Sequence, residues 1–373
     1  MSRIIHLANM YSPRSGGLKT TAHALGESYL ALGQDYVLVV PGVRYRRYRT
    51  SFGIKYEVPS YPIPFSGGYR IILNLRAVKR IVIESEPDVV EISDRLSLLM
   101  LAKWFRKQGI VTALFAHERV DKVILAFTRI RAISRPLADF WNRFTSKNID
   151  YVIATTSYAA EEFRRIDVPF STIPLGVDLI RFRAKPSPTR ASSNQINLLA
   201  VTRLSKEKDP GFLLEIAAEI KNRNLPFWIK VAGDGPMFKR LQNRASDEEL
   251  PIEFIGHIAD RTQIAELYAH SDFLLAVGPI ETFGLAALEA LASGTPVICR
   301  DTGAIKEIID SNSGVSCVRS AATWVDAIVE LGKHPRDKRS HSARLRAENF
   351  SWHTTAQLLL SRYQLTHPHK EVA

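Results

Sequence analysis

Two doubly wound, Rossmann-like α/β domains facing a cleft are predicted by three observations. The chain has 373 residues, more than one core usually serves. Short β-rich apolar runs alternate with longer helical patterns along most of it, the signature of parallel sheets covered by helices. One polar, Pro- and Ser-rich interval, 185–195, breaks the alternation and reads as a linker.

The elements follow in order. Strand Ile4–Asn9 leads into a helical stretch, Gly17–Leu32, and strand Tyr36–Val40. Further strands are expected at Asp88–Ile92, Val111–Ala116, Tyr151–Ala154 and Ser171–Pro174, which gives a first domain over 1–184. Beyond the linker, strands Ile196–Val201, Phe227–Ala232, Ile252–Gly256, Phe273–Val277, Pro296–Cys299 and Val315–Val318 build a second over 196–351. The helical stretch Trp352–His367 is expected to rejoin the first domain. Ligands of such sheets sit beyond the carboxyl ends of the strands, so the cleft is the expected site.

With 46% hydrophobic and 24% charged residues, the composition is that of a soluble globular protein. No run approaches the roughly 18 apolar residues of a membrane span. Met-Ser-Arg-Ile-Ile-His-Leu-Ala runs straight into a strand, so no signal peptide is read and a cytoplasmic location is expected. Cys299 and Cys317 are too few for a disulfide framework and lack the neighbours of a metal site; both read as small buried hydrophobes. The net charge is +12, and residues 1–180 hold 25 Lys and Arg against 16 Asp and Glu. That half faces phosphates, an acidic lipid surface or nucleic acid, or simply carries a solvated basic face.

The most informative stretch is Gly278 to Ile298. Its helix, Phe283–Ala292, is apolar on nearly every side yet carries Glu289, with Glu281 at its entrance. A buried carboxylate needs a partner, either a protein donor or a polar ligand. Eight helical residues rise by about 12 Å, so the two acids cannot flank one bond as a dyad. They can hold two separate hydroxyl-rich parts of one long ligand. Between them the N–H groups near Phe283, Gly284 and Leu285 favour an anion, and Gly284 allows close approach.

Arg203 and Lys208 follow strand Ile196–Val201 on a loop where a diphosphate would need cations, with Asp209 as N-cap and Pro210 as first helical residue. Gly233 and Gly235 form a bare turn after Phe227–Ala232, lacking the third glycine of a dinucleotide fingerprint. Ser15, Gly16 and Gly17 occupy the phosphate-approach position after the first strand but do not make a P-loop. His117 and Glu118 follow Val111–Ala116; His117 can donate to a sugar hydroxyl or a developing charge, or be structural. Gly303 and Glu307 are weaker candidates.

Taken together, Ser15-Gly-Gly17, Pro174-Leu-Gly-Val-Asp178, Arg203 with Lys208, Gly233-Asp-Gly-Pro236, Glu281-x7-Glu289 and Ala292-Ser-Gly-Thr-Pro296 resemble a retaining glycosyltransferase of family 4, with the GT-B fold. Thr202 stands where a Gly often precedes the Arg, and Gly278-Pro-Ile replaces a more Pro-Ser-rich approach to the first Glu. The resemblance implies that Glu289 binds the ribose of a GDP- or UDP-linked sugar and Glu281 the sugar hydroxyls. It implies that Arg203 and Lys208 neutralise the diphosphate, that Gly16 and Gly17 close over it, and that His117 touches the transferred hexose, of mannose or glucose type. Transfer would retain the anomeric configuration by a same-face displacement, without cofactor or metal.

The acceptor, a glycan or a lipid-linked sugar, is expected on the first domain. Arg44, Arg46, Arg47 and Arg49 follow the second strand, and 119–147 mixes basic with large apolar residues. Both can hold an anionic head group or rest peripherally on the inner face of a membrane. A nucleotide-sugar epimerase of the same fold would convert donor without acceptor. A nucleic-acid-binding protein would share the Arg-Tyr cluster but would not require Glu289, so nucleic acid is not an expected partner.

Overall fold

The computed structural model describes residues 1–11, 16–63, 68–128, 130–184 and 195–365. Its contacts separate two units, residues 1–176 with those from Trp352 onward, and Val177–Ser351. The linker interval 185–194 and Ser15 lie outside the described residues.

The first unit contributes β1 (Arg3–Leu7), β2 (Asp35–Gly42), β3 (Arg46–Thr50), β4 (Gly53–Pro59), β5 (Tyr61–Pro62), β6 (Arg70–Ile71), β7 (Val89–Ile92), β8 (Val111–Ala116), β9 (Tyr151–Ala154) and β10 (Ser171–Thr172). Eight of them form one sheet in the order β10-β9-β8-β7-β1-β2-β4-β3, parallel except for β3 at the edge; β5 and β6 pair separately. Its helices are α1 (Gly17–Ala31), α2 (Leu75–Ser85), α3 (Ala102–Lys107), α4 (Val120–Thr128), α5 (Arg131–Ser146) and α6 (Ser157–Arg164).

The second unit holds a wholly parallel sheet, β13-β12-β11-β14-β15-β16, from β11 (Ile196–Val201), β12 (Phe227–Ala232), β13 (Ile252–Gly256), β14 (Phe273–Ala276), β15 (Val297–Arg300) and β16 (Gly314–Cys317). It carries α7 (Gly211–Asn222), α8 (Phe238–Asp247), α9 (Arg261–His270), α10 (Leu285–Ala292), α11 (Ile305–Ile308), α12 (Ala321–Gly332) and α13 (Arg336–Glu348). The final helix, α14 (Trp352–Arg362), belongs to the first unit.

Both doubly wound sheets expected from the alternation are present. Their central strands are buried on both faces, which is why they read as largely apolar runs. Strand order reverses beside β1, between β2 and β7, and beside β11, between β12 and β14. These switch points are where ligands of such sheets gather.

One expected boundary is corrected. Residues 177–184 pack with the second unit, not the first. Val177 pairs with Ser351, the Arg344 guanidinium donates to the carbonyls of Leu179 (3.1 Å) and Phe182 (2.8 Å), and the Phe182 ring meets Tyr268 edge-on. Arg46–Thr50, which was not among the expected strands, forms β3. It runs antiparallel along β4, so Arg46 lies opposite Glu57 near the carboxyl end while Arg49 lies opposite Ile54 towards the amino end. Arg44, Arg46, Arg47 and Arg49 are exposed but spread along that edge, and two are engaged by tyrosines: Arg47 Nε donates to Tyr56 Oη (3.1 Å) and Arg46 Nη1 to Tyr48 Oη (3.0 Å).

Candidate active site

In the second unit the switch point brings two predicted residues together. Lys208 follows β11 and Glu281 follows the adjacent β14, and Lys208 Nζ donates to Glu281 Oε1 at 2.6 Å. Each side chain is about a quarter exposed, 24% and 28%, so the pair is partly shielded yet within reach of solvent. Arg203, on the same loop as Lys208, is exposed.

Lys208 closes a 3₁₀ turn, Lys206–Lys208, that ends in the left-handed conformation at Asp209 (φ 48°). The Asp209 carboxylate is not the predicted N-cap. It accepts from Arg300 Nη2 (3.0 Å) and Arg319 Nε (2.9 Å), and both guanidinium groups stack on Phe212. α7 then begins at Gly211, behind Pro210.

The bare turn Gly233–Gly235 has a clear steric cause. A Cβ on Gly233 would lie 1.8 Å from the Thr202 carbonyl oxygen, and one on Gly235 2.5 Å from that of Leu204. Leu204 N–H donates to the Asp234 carbonyl and Met237 N–H to that of Leu204. The two glycines therefore let the turn lie directly against the backbone that carries Arg203.

Across the sheet, Gly284 (φ 97°) enters α10, and a Cβ there would meet Ile305 at 2.6 Å. Gly303 (φ 90°) lies against the Glu281 backbone, and Ala304 N–H donates to the Glu281 carbonyl at 2.9 Å. The Phe283 side chain is buried against Phe350, so only its backbone is available at the helix entrance; Leu285 is the first residue of the helix.

Glu289 is buried, as its apolar helix demands, and its partner is a protein cation. Arg261, at the start of α9, donates through Nη2 to Glu289 Oε1, and Tyr268 Oη lies 3.5 Å from Oε2. Burial pushes the Glu289 carboxyl above the ordinary range, while Arg261 and Tyr268 pull against that rise. The Arg261 guanidinium rests 5.0 Å over the Phe182 ring.

In the first unit, Gly16 precedes α1 with φ −80°, and a Cβ there would meet nothing within 4 Å. Neither backbone strain nor packing among the described residues requires a glycine at this position. Gly17 is the first residue of α1. His117, just past β8, is half-buried, stacks on Phe115, and shares a hydrogen bond with Ser93 Oγ through Nε2 (3.1 Å). Burial, then His6 and Arg95, push its imidazole down to about 3, so it is neutral at ordinary pH.

Two family descriptions account for most of the chain: "Glycosyltransferase Family 4" over 15–181 and "Glycosyl transferases group 1" over 182–349. A GDP-mannose-dependent alpha-(1-6)-phosphatidylinositol dimannoside mannosyltransferase of Mycobacterium tuberculosis is 39% identical over 366 residues, covering 96% of this chain and 95% of the relative. The chain is a family 4 glycosyltransferase. An alpha-monoglucosyldiacylglycerol synthase of Streptococcus pneumoniae is 24% identical over 284 residues, 70% of this chain and 64% of that one. The sucrose-phosphate synthase of Thermosynechococcus elongatus superimposes with a TM-score of 0.79 at 19% identity, covering 98% of each chain, which establishes the GT-B fold.

This glycosyltransferase is therefore a retaining, nucleotide-sugar-dependent hexosyltransferase that forms α-glycosides. Lys208, Glu281 and Glu289 were singled out in the sequence, but Arg261, which lies 28 residues from its partner Glu289, was not. The missed signal was the acid itself, since a carboxylate in an apolar helix calls for a cation on a neighbouring helix.

Proposed function

We propose that the enzyme transfers mannose from GDP-mannose to a lipid-linked mannoside, working at an anionic membrane surface. The observation that carries the donor site is the Lys208–Glu281 pair at the switch point of the second sheet. A cation suited to a diphosphate and a carboxylate suited to sugar hydroxyls hold each other at 2.6 Å until a donor separates them. On this reading Arg203 joins Lys208 on the diphosphate and the entrance N–H groups of α10 add to it. Glu289 meets the ribose, Gly16 and Gly17 give clearance to the phosphates, and His117 meets the transferred hexose. The identity of sugar and base rests on the 39% relative, and the lipid acceptor on both relatives.

Departure of the diphosphate leaves an oxocarbenium-like centre, and the acceptor hydroxyl enters from the same face, its proton passing to the leaving phosphate. Arg203 and Lys208 stabilise the charge that develops there. Because these side chains supply the countercharge, we expect full turnover in excess EDTA; an absolute divalent-ion requirement would remove this part of the scheme.

The membrane reading rests on α5. Its inward face is small and polar, Ser134, Ala138, Asn142 and Thr145, while Ile133, Leu137, Phe140, Trp141 and Phe144 point outward. Phe140 is 66% exposed. That is the reverse of a solvated helix. Arg135, Arg143 and Lys147 are exposed alongside, the arrangement of a helix lying in a lipid interface. No helix among the described residues is long and apolar enough to cross a membrane.

The test is transfer from GDP-mannose, GDP-glucose and UDP-glucose to phosphatidylinositol mannosides, with products read by mass spectrometry. Hexose addition from GDP-mannose is expected. Transfer from UDP-glucose alone, or donor conversion without acceptor, would overturn the reading.

A further inference from the structure

The parallel pairing of β1 with β7 sets His6 opposite Glu91, two fully buried polar residues in otherwise apolar central strands. His6 Nδ1 lies 2.8 Å from Glu91 Oε2, and His6 Nε2 is hydrogen-bonded to Ser93 Oγ. Ser93 Oγ in turn lies 3.1 Å from His117 Nε2. The far oxygen of Glu91 accepts from Tyr29 Oη (2.6 Å) on α1 and Tyr363 Oη (3.0 Å) just past α14. An unbroken hydrogen-bonded line thus runs from the C-terminal helix through the sheet to His117, wholly within the first unit.

Donor and acceptor rules couple the groups along this line. Glu91 is bonded to Tyr29 Oη, Tyr363 Oη and His6 Nδ1, which holds His6 Nε2 towards Ser93. The Ser93 hydroxyl has a single proton, so it donates to one of the two imidazoles and accepts from the other. The role of His117 Nε2 as donor or acceptor is therefore set from within the sheet, and Nδ1 of the neutral ring takes the opposite role.

We infer that Ser93, His6 and Glu91 are positioning residues that fix the ring orientation and the tautomer of His117 for sugar transfer. The inference rests on the reading that His117 meets the transferred hexose, and it adds the buried residues that make that histidine a defined hydrogen-bond partner. Losing the Ser93 contact would leave the His117 ring freer to flip and exchange tautomers, changing which nitrogen it presents as donor.

The test uses the full chain with Ser93→Ala, His6→Gln and His117→Ala, each checked for an unchanged melting temperature before assay. Long-range ¹H–¹⁵N correlation of labelled histidine should show one tautomer for His117 in the parent and a changed tautomer population in Ser93→Ala. In the same variant kcat should fall about 10- to 100-fold, the scale on which metal-bound histidines respond to loss of a supporting hydrogen bond, with KM for the donor unchanged. His6→Gln should do the same; should it fail to fold, Ser93→Ala, which removes one oxygen, carries the test. An unchanged His117 tautomer in Ser93→Ala would overturn the proposal, as would parental kcat in that variant beside an inactive His117→Ala. Full turnover by His117→Ala would remove the premise instead, leaving the spectra to show whether the line of hydrogen bonds exists.

Discussion

Arg203 and Arg261 carry similar charge but different predictions. Arg203 is exposed on a loop held by two glycines, so its loss should leave folding intact and act on the leaving group. Arg203→Ala should lower kcat by about 10²-fold or more, the scale of one preorganised charge contact, and steady-state kinetics at saturating donor would show it. Arg261→Ala instead leaves Glu289 buried with, among the described residues, a long contact to Tyr268 and the charge of Arg181. The expected cost is about 1–3 kcal/mol of stability, read by urea unfolding at neutral pH. The sign of its pH dependence follows from Glu289. A carboxyl whose folded pKa lies above its unfolded value gains stability from protonation and loses it as pH rises through the folded value. Removing Arg261 raises that value further, so the penalty should shrink as pH is lowered from 8 towards 5.

At the scale of elements, α5 gives the sharpest test. Phe140→Ser with Trp141→Ser should abolish co-sedimentation with anionic vesicles at low salt, while activity on a water-soluble acceptor analogue persists. Vesicle binding equal to the parent would refute the assignment. Most elements were legible because a doubly wound sheet buries its strands on both faces; β8, β9, β11, β12 and β13 span the residues expected. The hairpin of β3 and β4 was not. Its outer strand, Arg-Arg-Tyr-Arg-Thr, buries neither face and shows charge where periodicity would show apolar residues, so only pairing with β4 makes it a strand. The loops that follow β11, β12 and β14 were legible for a related reason, since carboxyl ends of parallel strands can be located from sequence. His6 and Glu91 were not, because a single polar residue in each of two apolar runs signals nothing until register sets the two opposite each other.

Across the whole molecule, acid should act first on residues 1–176. Burial pushes His23 down to about 4, with Lys19 and Lys55 adding to the effect, and His117 lies near 3. Both stay neutral in the folded chain while an unfolded histidine titrates near 6.5. Below that value the unfolded state binds more protons, so stability should fall steadily between about pH 6.5 and 4. Hydrogen exchange at pH 7 and pH 5 would locate the loss; protection in β1, β2 and α1 that is unchanged at pH 5 would contradict it.

One contact reaches further than its length suggests. Tyr363 completes the ring of donors around Glu91, 272 positions away in the sequence. A ribosome therefore delivers the amino-terminal strands long before the hydroxyl that one of their buried acids requires. Val177–Ser351 is contiguous and lacks this dependence, so the nascent chain is expected to finish its second half before its first.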